Sequence, residues 1–174
     1  MATRWMQGLR AALGFLMADA GPRRSPPPGV AALPAWLQSV ELQAQGLASL
    51  LARLFVAKVF WLSGLSKLRD WSSTLALFED EYQVPLLPPE LAAYLGTAGE
   101  LALPVLLVLG LGGRFAALGL SVVNVMAVLS LSEIAPAALL GHQLWGALLL
   151  MLALWGAGPW SLDAWWGARR AARA

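Results

Sequence analysis

Six side chains in this sequence carry polar chemistry into apolar surroundings: Lys58, Lys67, Glu100, Asn124, Glu133 and His142. A charge at mid-membrane costs at least about 2.5–3.5 kcal/mol. An ammonium and a carboxylate that meet inside a helical bundle offset much of that cost. Such a pair can also orient a ligand or exchange a proton with it. Lys58 and Lys67 lie in "RLFVAKVFWLSGLSKL" (53–68), Glu100 in "LGTAGELALPVLL" (95–107) and Asn124 in "LSVVNVMAVL" (120–129).

Counting inward from the boundaries of the apolar blocks places three of these groups at one level. Lys58 is ~15 Å below the end of its block and Glu100 ~14 Å below the start of the next, at ~1.5 Å per residue. Asn124 falls near the midplane of a third. A Lys58–Glu100 contact with Asn124 nearby is therefore expected. The alternative is a Lys58 that snorkels and a Glu100 that is protonated. Gly96, Thr97 and Gly99 permit close helix approach and favour an interior-facing Glu100. A second level is expected at the outer mouth, where Lys67, Glu133 and His142 end or begin their blocks. Arg53, Phe60, Gly64 and Lys67 share one helix face, with Lys58 about 140° from Arg53. The two lysines cannot both face one cavity.

Other chemistries lack their residues. With no cysteine and one histidine, the chain supplies no disulfide, thiol relay, iron–sulfur ligation or bis-histidine haem, and no metal site is expected. No phosphate-cradling glycine loop or nucleophile elbow is present. Ser63 and Ser66 beside Lys67 read as helix packing. The arginines form no aromatic-interleaved basic face, so nucleic acid is not an expected partner.

The elements that must position these groups are membrane spans. Of the 174 residues 59% are hydrophobic and 13% charged, against roughly 25% charged in soluble domains. Four spans are expected, at about 47–68, 91–111, 115–134 and 142–156, the last being the shortest. Pro88 and Pro89 suit the opening turn of the second. Residues 1–46 read as an N-terminal cytoplasmic extension. It would hold a short amphipathic helix (4–20, with a signal peptide as the rival reading), a Pro-rich linker (21–29) and an interfacial helix (34–46). Residues 47–166 read as the transmembrane domain and 167–174 as a basic tail. Arg4, Arg10, Arg23, Arg24, Arg114, Arg169, Arg170 and Arg173 then share one side, which the positive-inside rule makes cytoplasmic, together with both termini. The other side receives Glu79, Asp80, Glu81 and Glu90 on a loop. There a serine cap followed by Leu75, Phe78 and Tyr82 predicts a short amphipathic helix lying on the outer surface. The fold class is all-α integral membrane: a four-transmembrane-helix bundle with a short outer amphipathic helix and an N-terminal extension.

The segments "RLFVAKVFWLSGLSKLRDW", "TLALFEDEYQVPLLPPELAAYLGTAGELALPVLLVLGLGGR" and "GPWSLD" resemble the DoxX family of small four-helix bacterial membrane proteins. The Ser63-Gly64-x-x-Lys67 ending, Glu100 and Ser161-Leu162-Asp163 carry the likeness, over roughly residues 50–166. "EYQVPLLPPELAAY" resembles the HvfX-type branch. The resemblance implies an inner-membrane protein with redox or copper- and oxidative-stress associations, and it shifts weight from Lys58 to Lys67. It makes an accessory subunit with a quinone or small-molecule site between the helices the leading expectation, with a protein partner or a homo-oligomer. Two alternatives are a transport or export component for a small molecule or modified peptide, and a non-catalytic membrane scaffold. Whether the protein is an enzyme stays open at this point.

Overall fold

The computed structural model describes residues 34–173, together with 6–8, 12–14 and 16, which are helical. The N-terminal helix and the Pro-rich linker expected from the sequence fall largely outside the described residues. Six helices follow. They are α1 (Ala35–Arg69), α2 (Trp71–Asp80), α3 (Pro89–Leu109), α4 (Gly113–Leu129), α5 (Pro136–Trp155) and α6 (Leu162–Ala171).

Local chemistry sets their ends. No proline interrupts α1 after Pro34, and Lys67 and Arg69 complement the negative end of its dipole. Proline opens α3 and α5, where the missing N–H has no helical partner to lose. Gly110 closes α3 in the left-handed conformation at φ 65°. Gly112, at φ 54°, turns the chain straight into α4.

α1 packs on α3, α3 on α4 and α4 on α5, and α5 returns to α1, which closes a four-helix ring. Its core holds Val56, Phe60, Leu107, Leu120, Leu149 and Leu152. Phe60 meets Trp145 edge-to-face at 6.2 Å. The outward faces are apolar and exposed, among them Leu54, Phe55, Val122, Leu150 and Leu154. An apolar core inside an apolar exterior is what a hydrocarbon solvent requires. α1, α3 and α5 are long and apolar enough to cross a membrane, and α4 is a shorter apolar helix. The chain is an all-α membrane bundle.

Three boundaries differ from the sequence expectation. The interfacial helix expected for 34–46 and the first span are one continuous helix of 35 residues. The shortest helix of the ring is the third, at 17 residues, while the fourth begins at Pro136 and reaches 20. The loop helix is capped by Asp70 rather than by a serine and ends before Tyr82. Its apolar face packs on the bundle, with Phe78 against Ala92 and Ala93 of α3.

Contacts between α1 and α3 explain why. Gly64 sits against Glu100 and Leu101. From that level α1 continues for five residues and α3 for eleven, so the first turns of α3 stand about 9 Å beyond the end of α1. α2 fills the step. Thr74 ties it to α1 by donating to the Lys67 and Asp70 carbonyls at 3.0 and 2.9 Å. The Asp70 carboxylate accepts from the Ser73 hydroxyl at 2.6 Å, the Ser73 N–H at 3.0 Å and the Ser72 hydroxyl at 2.8 Å. These bonds, the Ser73 hydroxyl foremost, hold its pKa at about 2.

A carboxyl depressed by folding contributes stability above its ordinary pKa near 3.8 and loses it as pH falls toward about 2. Amide protection factors across 72–75 should therefore be high at pH 5 and fall between pH 4 and 2. Asp70→Ala should have the low value at both ends. Equal protection in Asp70→Ala at pH 5 would rule the cap out.

Candidate functional site

α1 carries Ser63 and Lys67 one turn apart, and α3 carries Glu100 opposite them. Lys67 Nζ donates to Glu100 Oε2 at 2.6 Å and to Oε1 at 2.8 Å. Its third donor goes to Ser63 Oγ at 3.0 Å, and Ser63 Oγ donates in turn to Glu100 Oε1 at 3.2 Å. All three ammonium donors are used. A carboxylate offers about four lone-pair sites, and three of Glu100's are taken. The free capacity of the triad is thus one acceptor site on Glu100. The Lys67 and Glu100 side chains are 18% and 9% exposed. α3 has 21 residues, about 31 Å, the thickness of a hydrocarbon core, and Glu100 is its twelfth residue. The ion pair lies near mid-span.

Two backbone features make room for it. A Cβ on Gly64 would come within 2.8 Å of the Leu101 side chain and 3.2 Å of Glu100 Cβ, so only glycine lets α1 approach this closely. Pro104 lies inside α3. It has no N–H, so the Glu100 carbonyl loses its usual i+4 donor at the level of the pair.

The Lys58–Glu100 contact expected from counted depth is not formed. Lys58 is exposed on the outer face of α1, as the helical angle between it and Arg53 requires. The count took Leu68 and Leu91 as level, but the two helix ends are staggered. Helical side chains also lean toward the helix N-terminus. Lys67 therefore reaches down to Glu100, and Lys58 leans away from it.

Asn124 lies at the counted level, since a Cβ on Gly99, next to Glu100, would be 3.2 Å from Val123 Cγ2. Its direction differs from the expectation. Asn124 Nδ2 donates to the His142 carbonyl at 2.9 Å, and His142 Nδ1 lies 2.8 Å from Asn124 Oδ1. Because a carbonyl can only accept, this fixes the amide orientation. Neutral His142 therefore carries its proton on Nδ1. The ring also stands edge-to-face on Trp145 at 4.9 Å. The expected mouth cluster of Lys67, Glu133 and His142 does not form. α5 starts six residues before His142, which carries the imidazole about 9 Å into the bundle. Glu133 is exposed in the loop and forms no hydrogen bond or ion pair among the described residues. No group of three or more histidine or acidic side chains gathers to hold a metal among the described residues.

Beside the triad is a pocket of about 310 Å³. Lys67 and Glu100 form its polar floor. Phe78, Leu95, Val123 and Met126 form apolar walls, and Tyr82 and Ser130 add two hydroxyls to the lining. Both α2 and the stagger of α3 are needed to build it. Burial, and then the charges of Glu81 and Glu100, push the Tyr82 phenol above its ordinary pKa, so it remains a neutral donor.

A second polar cluster, at the α6 end, brings together Arg53 and the Ser161-Leu162-Asp163 segment, whose meeting the sequence does not predict. Arg53 is fully buried and donates to the Val108 carbonyl at 3.2 Å and the Trp160 carbonyl at 2.6 Å. The Asp163 carboxylate accepts from the Gly112 N–H at 2.7 Å. Ser161 caps α6, accepting from the Ala164 N–H at 3.1 Å. Together they tie the ends of α3 and α5 to α1. The available signal was the face that Arg53 shares with Phe60, Gly64 and Lys67.

Removing one partner of a buried ion pair costs about 3–5 kcal/mol, whereas removing both costs far less. Glu100→Gln should accordingly lower the thermal midpoint in detergent. Glu100→Gln combined with Lys67→Met should recover most of the loss. Additive losses in the double variant would mean that the two side chains do not interact.

The family model described as DoxX matches residues 48–133. That segment runs from within α1 through α4 and contains Ser63, Lys67 and Glu100. No curated protein and no solved structure matches this chain. The matched segment coincides with the helices that build the triad and its pocket, and the chain belongs to the DoxX family of membrane proteins.

Proposed function

We propose that the protein binds a small amphipathic molecule of the quinone or quinol type in the pocket above Lys67 and Glu100, as an accessory membrane subunit of a redox or stress-response system. The observation that carries this reading is a pocket of about 310 Å³ with apolar walls and a single ion pair at its floor. Small-molecule sites have this form: mostly apolar, a few polar groups fixing orientation, about 300–1,000 Å³. The free acceptor site on Glu100 suits a ligand hydroxyl, which a quinol carries. The neutral Tyr82 phenol in the lining suits a carbonyl, which a quinone carries. The chain has no cysteine and one histidine, so electrons would come from a partner's cofactor and the bundle would hold and orient the ligand. On this reading the end bearing Arg114, Arg169, Arg170 and Arg173 faces the cytoplasm, and the end bearing Glu79, Asp80, Glu81 and Glu90 faces outward, in keeping with the positive-inside rule for an inner-membrane protein.

Titration of the purified protein with a short-chain quinol, read by tryptophan fluorescence, tests this. Wild type should bind. Glu100→Gln, which replaces a carboxylate acceptor by an amide, should bind at least about tenfold more weakly, a loss of about 1.4 kcal/mol. Val123→Trp, which fills the pocket from its wall and leaves the triad intact, should abolish binding. Equal binding by all three proteins would refute the assignment.

A further inference from the structure

Lys58 is the basic side chain that the triad leaves over. It is exposed, and it makes no hydrogen bond or ion pair among the described residues. It lies in a groove of about 420 Å³ between α1 and α3, walled by Leu54, Trp61, Pro104, Val105 and Val108. Those α3 residues belong to its last turns, so the groove opens toward the α6 end of the bundle. From the level of Val105 to the end of α3 at Leu109 is about 6 Å. That is within the reach of a lysine stem leaning toward the N-terminus of α1, which is the same direction.

A bare ammonium in an apolar groove needs an anion. No carboxylate of the described chain can supply one, even from a second copy of it. Glu100 is held by Lys67, and Asp163 is engaged on the Gly112 N–H. Glu41 is seventeen residues, about 25 Å, further along α1, where it accepts from Gln45. Asp70, Glu79, Asp80, Glu81, Glu90 and Glu133 all belong to the α2 end. The described residues therefore supply no counter-ion at this level, and the solvent there is lipid.

We propose that the α1–α3 groove binds an anionic phospholipid of the leaflet at the α6 end, with its phosphate on Lys58 and one acyl chain along Val105 and Val108. The same end carries α6, an amphipathic helix with Trp165 and Trp166 at its middle and Arg169 and Arg170 in its last turn. Arg169 stacks over the Trp165 ring at 3.6 Å. Such a helix draws anionic headgroups to the surface beside the mouth of the groove.

Native mass spectrometry of the full chain released from phosphatidylglycerol/phosphatidylcholine vesicles tests the site. Wild type should retain one phosphatidylglycerol per chain in preference to phosphatidylcholine, and inorganic phosphate should not displace it. Lys58→Met keeps the aliphatic stem and should retain phosphatidylglycerol roughly fivefold less, with Lys58→Arg restoring it. Undiminished retention in Lys58→Met, or displacement by inorganic phosphate, would overturn the proposal. Because the chain has no cysteine, Lys58→Cys introduces a unique thiol. It should remain monomeric under oxidation in vesicles. Efficient disulfide dimers would show that a second copy covers the groove instead.

Discussion

Burying one ammonium near the middle of the bundle is the constraint on which the rest of the structure depends. Lys67 can lie there because every proton on its nitrogen has an acceptor, two on Glu100 and one on Ser63. Those acceptors come within reach because Gly64 lets α1 and α3 approach closely. Close approach at that level then fixes the register of the two helices. The register pushes the start of α3 beyond the end of α1 and creates the ledge on which α2 sits. The pocket over the ion pair is a consequence of that ledge.

The opposite end of the bundle is held by different means. There the connections between helices are tight, and their carbonyls and N–H groups need partners in the absence of water. Arg53 serves the carbonyls of Val108 and Trp160, while Asp163 serves the N–H of Gly112. Gly110 has no room for a side chain, because a Cβ there would overlap Ser161. One face of α1 therefore supplies both anchors, Arg53 at one end and Lys67 toward the other. At the other end, α2 is held by the Thr74 and Asp70 bonds and by Phe78 against α3, and it lines the pocket over the ion pair.

This division assigns different work to the two lysines. Lys67 is the deep one, stabilised inside the protein. Lys58 is nearer a boundary and turned toward lipid. The energetic cost of a charge in a membrane depends on direction as much as on depth, since a long side chain shifts its charged group by several ångströms along the helix axis.

Much of this was legible in the sequence. Apolar blocks of about twenty residues dictate spanning helices, because in hydrocarbon each backbone must satisfy itself. Proline before a block marked the start of α3. The helical angle separated Lys58 from Lys67 and grouped Arg53, Phe60, Gly64 and Lys67, because side-chain direction along one helix is fixed by local geometry alone. What the sequence could not determine was the relation between helices. Counting from block boundaries assumed that α1 and α3 end level. It also had no means of turning Asn124 toward His142 rather than toward Glu100. Axial stagger and rotation are decided by packing, here by the contact of Gly64 with Glu100 and by the support that α2 gives to the projecting turns of α3. The sequence by itself determined which residues are polar in an apolar setting and roughly how deep they lie. The tertiary structure alone decided which of them meet.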